Sequence, residues 1–202
     1  MITALYLAHL NPVTNAHVEI INELKNKADI VKVMPVVFKL GKNETNSKSF
    51  PFNFNTRKKM LRSVFGESIL ITDDYTFFAP FKKYMPPLLS PRSWKLRKQI
   101  LKGVEGEFFS YTGDKAEGYM LKMYRLKPKI GQRKVLSAAN VKQNLYDSAL
   151  GMKLNWKKDV PESVGRIIEE NWDIILKFSC IEDKTTRVLG MKFPKDGWSD
   201  KI

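Results

Sequence analysis

The chain of 202 residues contains a single cysteine, Cys180. One thiol cannot close an internal disulfide and cannot build a cysteine zinc cluster. It therefore reads as a small buried hydrophobe rather than a nucleophile. Also missing are the basic start and apolar core of a secretory leader, and any apolar run long enough to span a bilayer. These absences lead us to expect a soluble cytoplasmic protein with no membrane partner. No run of five or more Lys/Arg occurs, which excludes a polybasic tail, and no segment repeats.

Positive charge, by contrast, is plentiful: 35 Lys+Arg against 21 Asp+Glu give a formal charge of +14. Such a field attracts phosphates on a nucleotide, a nucleic acid or an anionic membrane, and does not choose among them. A hydrophobic fraction of 43% is ordinary for a globular chain, and the length favours one domain with a modest extension. We place the core at 1–150 and an extension, a helix and a β-hairpin packed on the core, at 151–202.

The pattern is clearest at the start. An apolar run over 2–7 leads into Ala8-His9-Leu10-Asn11-Pro12-Val13-Thr14-Asn15-Ala16-His17, and then into a helix-period stretch over 18–24. This is a strand–loop–helix unit. A histidine in the first helical turn faces whatever binds the helix N-terminus, where free N–H groups and the macrodipole favour an anion. From spacing alone, an ordinary connection capped by Thr14 or Asn15 with a surface histidine fits equally well.

Further along, 30–38 reads as a buried strand disturbed by Pro35, followed by a long polar loop over 39–53. Asn55 or Thr56 is expected to cap the next helix, with Met60, Leu61 and Val64 on its apolar face. A short strand at 68–72 ends in Asp73-Asp74, which could touch a ribose or magnesium but fits a plain turn better. The aromatic, proline-rich stretch 75–92 is either a flap that stacks on a substrate ring or a loop folded over the core, and we favour the latter. A helix is expected at 93–102, a strand at 107–112, then Gly113-Asp114 and a helix through Met120, Leu121 and Tyr124. Glycine after a strand allows close backbone approach to a ligand, and the aspartate can accept from ribose hydroxyls or a base edge. We expect a last strand at 134–136, with Ser137 opening a helix, and another helix from Val160-Pro161 through Trp172 and Ile175. A hairpin over 176–193 turning at Glu182-Asp183-Lys184 and a frayed end over 196–202 complete the chain. Strands alternating with helices predict an α/β fold, a Rossmann-like open parallel sheet with helices on both faces.

Asn11, Pro12, Thr14 and His17 match, position for position, the N-terminal signature of the HxGH/TxGH nucleotidylyltransferases, which this stretch resembles. Ala8, Leu10 and Ala16 stand where that family commonly has Gly, Phe and Gly. Ser137-Ala138-Ala139-Asn140-Val141-Lys142 is similar to the family's second signature, with Lys142 in place of Arg and without the hydroxyls at Ala138 and Ala139. The Val160-Pro161 phrase is similar to the end of bacterial nicotinate or nicotinamide mononucleotide adenylyltransferases, whereas Thr14 in place of a first histidine is shared with the phosphopantetheine enzymes.

The resemblance implies an enzyme transferring a nucleotidyl group, from ATP or CTP, to a phosphate acceptor with release of pyrophosphate. Nicotinamide or nicotinate mononucleotide is the leading acceptor; phosphopantetheine, glycerol phosphate and flavin mononucleotide are alternatives. It implies that His17 bonds the α-phosphate, Thr14 the same region or the acceptor phosphate, and Lys42 (or Lys39) with Arg57 the acceptor phosphate. Ser137 and Lys142 would hold pyrophosphate, while Ala8, His9, Asn11, Gly113 and Asp114 would line the nucleotide, Asn11 by fixing the loop or the sugar. Mg2+ would arrive on the phosphates, with no protein cage. Expected partners are these small molecules, with homo-oligomerisation left open. The alternative is a non-catalytic, basic nucleic-acid-binding protein on the same fold.

Overall fold

In the computed structural model, which describes residues 1–132 and 134–199, strand β1 (Ile2–Ala8) lies at the centre of the sheet. Its alternate side chains serve two cores: Ala4 and Tyr6 face one layer, Leu5 and Leu7 the other. Thr14 then opens α1 (Asn15–Lys25), whose Ile20, Ile21 and Leu24 pack into the first layer. The expected single strand over 30–38 is broken into β2 (Ile30–Pro35) and β3 (Val37–Leu40). At the break the Val36 N–H donates to the Ala8 carbonyl (3.0 Å) and the Val36 carbonyl accepts from Arg57 (2.7 Å). The chain thereby leaves one sheet for a second. Part of the expected polar loop is β4 (Asn43–Glu44), antiparallel to β3.

Helix α2 (Phe54–Phe65) is capped by Asn53, not by Asn55 or Thr56: the Asn53 side chain accepts from the Thr56 N–H. Next come β5 (Leu70–Ile71), β6 (Thr76–Phe78) and α3 (Pro91–Ile100). Between and around them Tyr75, Phe77, Phe81 and Tyr84 are buried, so most of the aromatic stretch is core. Strand β7 (Glu107–Thr112) leads to α4 (Lys115–Met123). The last parallel strand is β8 (Pro128–Ile130), not 134–136, where Val135 is fully exposed. Pro128 obscured it, although proline is tolerated in a strand at the sheet edge, where β8 lies.

After α5 (Ala138–Ala149), the expected single helix is two, α6 (Glu162–Glu170) and α7 (Trp172–Ser179), broken at Asn171. The hairpin is β9 (Thr185–Val188) and β10 (Met191–Pro194). It turns at Leu189-Gly190, where both residues adopt positive φ, and not at Glu182-Asp183-Lys184; residues 176–179 belong to α7. Trp198 packs on Phe193, so the expected fraying does not extend to it; 200–202 lie outside the described residues. Cys180 is exposed, not buried, because it follows the last turn of α7.

The main sheet has the order β5-β2-β1-β7-β8 with every pair parallel. A smaller sheet runs β4-β3-β6. Helices α1, α2, α5, α6 and α7 cover one face of the main sheet; α3 and α4, with β10, cover the other. This is the expected Rossmann-like α/β fold. Strand order reverses beside β1, so the carboxyl ends of β1 and β7 open a crevice, the usual ligand position in such sheets. Among the described residues no helix is long and apolar enough to cross a membrane.

Candidate nucleotide cleft

The crevice is a cleft of about 270 Å³ lined from the end of β1 and the loop after it (Tyr6 to Asn11), α1 (Ala16, His17, Ile20), β7, the turn after it and α4 (Thr112, Gly113, Asp114, Glu117), and α5 with the residues before it (Leu136, Ser137, Ala138, Lys142). The first signature thus meets the second across the sheet. Of the residues singled out in sequence, Ala8, His9, Asn11, His17, Gly113, Asp114, Ser137 and Lys142 line this one space.

His17 occupies the third position of α1 in a capping box. Its Nδ1 accepts from the Thr14 N–H at 3.0 Å, and the Thr14 hydroxyl lies at the same distance. An accepting Nδ1 leaves the proton of the neutral ring on Nε2. Burial, and secondarily the Lys142 charge, lower the His17 pKa to about 4. At neutral pH the ring is an uncharged N–H donor at a helix N-terminus.

Lys142 is half-buried, and its ammonium donates to the Ser49 carbonyl at 2.6 Å. Burial, followed by the Lys192 charge, brings its pKa down to about 8, against the pull of Asp183. Lys192 in turn donates to Ser49 Oγ (2.8 Å) and to Asp183 (3.3 Å), so the β9–β10 hairpin and the 45–50 segment are tied together beside the cleft. His9 stacks on Phe50 with ring centroids 4.9 Å apart, and neither buried ring nitrogen has a partner among the described residues. Desolvation, then Lys142 and Arg57, hold it well below the usual imidazole range.

Asn11 is fully buried and bridges Phe52 through both ends of its amide, donating to the carbonyl (2.8 Å) and accepting from the N–H (3.1 Å). It fixes the β1–α1 loop to the segment before α2. Arg57 is also inside. It donates to the carbonyls of His9, Val36 and Asn53 and to Glu44 Oε1 (3.0 Å), and burial lowers its pKa to about 10 despite Glu44. Lys42 is exposed near the β3–β4 turn; neither it nor Arg57 lines the cleft.

Asp114 caps α4, accepting from the N–H groups of Ala116 and Glu117, and Ser137 caps α5 through the Ala139 N–H. Sequence reasoning passed over Glu117. Its carboxyl accepts from the Thr112 hydroxyl at 2.6 Å, and burial, with Asp114 nearby, raises its pKa to about 7. Nothing marked it among the polar residues of a helix. Asp74, one of the suggested ribose or magnesium contacts, instead pairs with Lys32 at 2.7 Å, away from the cleft.

A metal would find few ligands. Among the described residues no three His, Cys, Asp or Glu side chains converge. Of the cleft carboxyls, Asp114 is spent as a cap and Glu117 is held toward its neutral form.

No family model and no curated protein sequence matches the chain. Solved structures do match, and they show the fold: a Rossmann-like α/β sheet shared with proteins described as adenylyltransferases. One similar structure is a bifunctional NMN adenylyltransferase/ADP ribose pyrophosphatase from Francisella tularensis, with TM-score 0.60 and 14% identity, covering 87% of this chain and 52% of that one. A Vibrio parahaemolyticus protein assigned as a nicotinate-nucleotide adenylyltransferase aligns at TM-score 0.57 and 11% identity, over 87% of this chain and 96% of that chain. The NadR protein in complex with NR aligns at 0.56 and 14%, over 83% and 45% respectively. The chain spans about half the length of the Francisella and NadR chains. At these identities the likeness is one of fold.

Proposed function

We propose that the protein is an adenylyltransferase that joins the adenylyl group of ATP to nicotinamide or nicotinate mononucleotide and releases pyrophosphate. The observation that carries this reading is the meeting of His17 and Lys142 in one cleft at the ends of β1 and β7. The adenylyltransferases among the fold neighbours support the choice of class and of acceptor.

The acceptor phosphate is already anionic, so its oxygen attacks the α-phosphate without a catalytic base. Catalysis then consists of positioning and of stabilising charge at phosphorus. His17 donates from Nε2 to an α-phosphate oxygen as charge builds there. Its neutral state suits that role, since the donor needs no proton from solvent. Thr14 holds the ring through Nδ1. Lys142, released from the Ser49 carbonyl, neutralises the departing pyrophosphate, and the N–H groups that open α5 bind its oxygens. Gly113 lets the nucleotide approach the end of β7. Arg57 acts through the His9 carbonyl, as a positioning residue for the loop. Lys42 lies at the open side and would meet the acceptor phosphate only if its loop folded inward. Magnesium bound to the phosphates would supply further charge neutralisation.

A panel of four nucleoside triphosphates against nicotinamide mononucleotide, phosphopantetheine, glycerol phosphate and flavin mononucleotide, read by pyrophosphate release with magnesium, tests the proposal. Acceptor-dependent release with ATP and the mononucleotide is expected. CTP preference, or another acceptor, would keep the chemistry and change the substrate; silence across the panel would remove the enzyme reading.

A further inference from the structure

On the far side of α4 from the cleft, an open groove of about 850 Å³ runs between α3, α4 and the edge strand β8. Its lining includes Arg97, Lys115, Lys122, Arg125 and Lys127, and no carboxylate among the described residues. None of these five cations makes an ion pair among the described residues. Lys115, Tyr119 and Lys122 stand at i, i+4 and i+7 on the outer stripe of α4, while Gly118, Met120 and Leu121 are buried. The two lysines are therefore about 10 Å apart along the helix axis, with the Tyr119 ring, 67% exposed, between them.

Two details show the charge being held outward. Arg125 and Lys127 both take left-handed φ, +54° and +50°, in the α4–β8 turn. Glycine or asparagine would occupy those positions with less strain. Their heads lie over aromatic rings, Arg125 at 6.0 Å from Trp94 and Lys127 at 4.8 Å from Phe108.

From this arrangement we infer that the groove is a binding surface for single-stranded nucleic acid. Phosphates lie along Lys115, Lys122, Arg125 and Lys127, and a base stacks on Tyr119. A row of unpaired cations interleaved with an exposed ring is how proteins hold a single strand, because every base has a face to stack and every linkage a charge. An acidic peptide would use the cations and ignore the ring. A bilayer would meet a protruding apolar surface rather than a concave one.

The test is fluorescence anisotropy with a labelled oligothymidylate of about 15 nucleotides, the upper end of a common site size, on the full chain. Four phosphate contacts at about −0.7 each give an expected slope of about −3 for log affinity against log salt. Lys122→Glu/Arg125→Glu should roughly halve that slope and weaken binding more than about tenfold. Tyr119→Ala should weaken it by at least about fivefold, and Tyr119→Phe should restore it. All three positions are exposed, so the variants should fold. His17→Ala, in the cleft, should bind the oligonucleotide as the wild type does. The inference is overturned if the charge-reversed protein binds normally, if Tyr119→Ala has no effect, or if duplex DNA, polyglutamate or phosphatidylserine vesicles bind as tightly and are lost in the same variants.

Discussion

From the resemblance, Asn11 is expected to fix the loop or the sugar, and in the fold it is the loop that it holds, its amide consumed by the Phe52 backbone. Asn11→Leu should leave a buried N–H and a buried carbonyl without partners, at about 1–3 kcal/mol each, and the loss should be read in chemical denaturation. Lys142 differs, because its single hydrogen-bond partner among the described residues is a carbonyl that a phosphate could displace. Its pKa is lowered by burial to about 8, so the ammonium is charged below that pH and neutral above it. Triphosphate affinity should therefore fall as pH is raised through about 8, and Lys142→Arg should abolish that fall. Titration of a nonhydrolysable triphosphate across this range checks both; pH-independent binding by the wild type would take Lys142 away from the phosphates. His17, Lys142 and the caps Thr14 and Ser137 were all legible as residues. Glu117 was not, because its raised pKa comes from burial, which the polar pattern of a helix does not show.

At the level of elements, local patterning located β1, α1 and β7 well, since each is a strong apolar run or period bounded by a turn. It failed where tertiary contacts decide: the break at Val36 depends on Arg57 and Ala8, and β8 depends on pairing with β7 through Ser110, Tyr111 and Thr112. Lys32 is a further case. In a strand otherwise buried it is only 1% exposed, and it donates to the Ile100 and Lys102 carbonyls while pairing with Asp74. It thus ties β2 to the C-terminal end of α3, where a cation is favoured. Lys32→Met should cost about 3–5 kcal/mol by stranding Asp74, and Lys32→Met/Asp74→Asn should recover part of it. Urea unfolding of the two variants separates the stranded charge from the lost packing.

Across the whole molecule, the segment beyond residue 150 is woven into both layers. Val164, Ile168 and Ile175 complete the core on one face of the sheet, and Met191 and Phe193 that on the other. Phe193 is fully buried against Phe38, Phe77, Phe81 and Trp198. Phe193→Ala should cost about 3–5 kcal/mol and lower the unfolding midpoint of the whole chain, not of a separate hairpin transition. The same hairpin reaches the cleft through Asp183, Lys192 and Ser49, so the sheet, the signature loops and the extension share one polar seam. That long-range seam had no signature in the sequence, which showed only a polar loop and a hairpin.

The central claim is that His17, held neutral by burial and oriented by Thr14, stabilises charge on the α-phosphate. It is tested most directly by pyrophosphate release from ATP and nicotinamide mononucleotide in the wild type and in His17→Ala, with thermal unfolding of each measured alongside. Turnover in His17→Ala should fall about a hundredfold to a thousandfold, the range for removing one such donor, with the protein still folded and at most about 1–2 kcal/mol less stable from the lost capping contact. A folded His17→Ala protein that turns over at the wild-type rate on every active pair of substrates would contradict it.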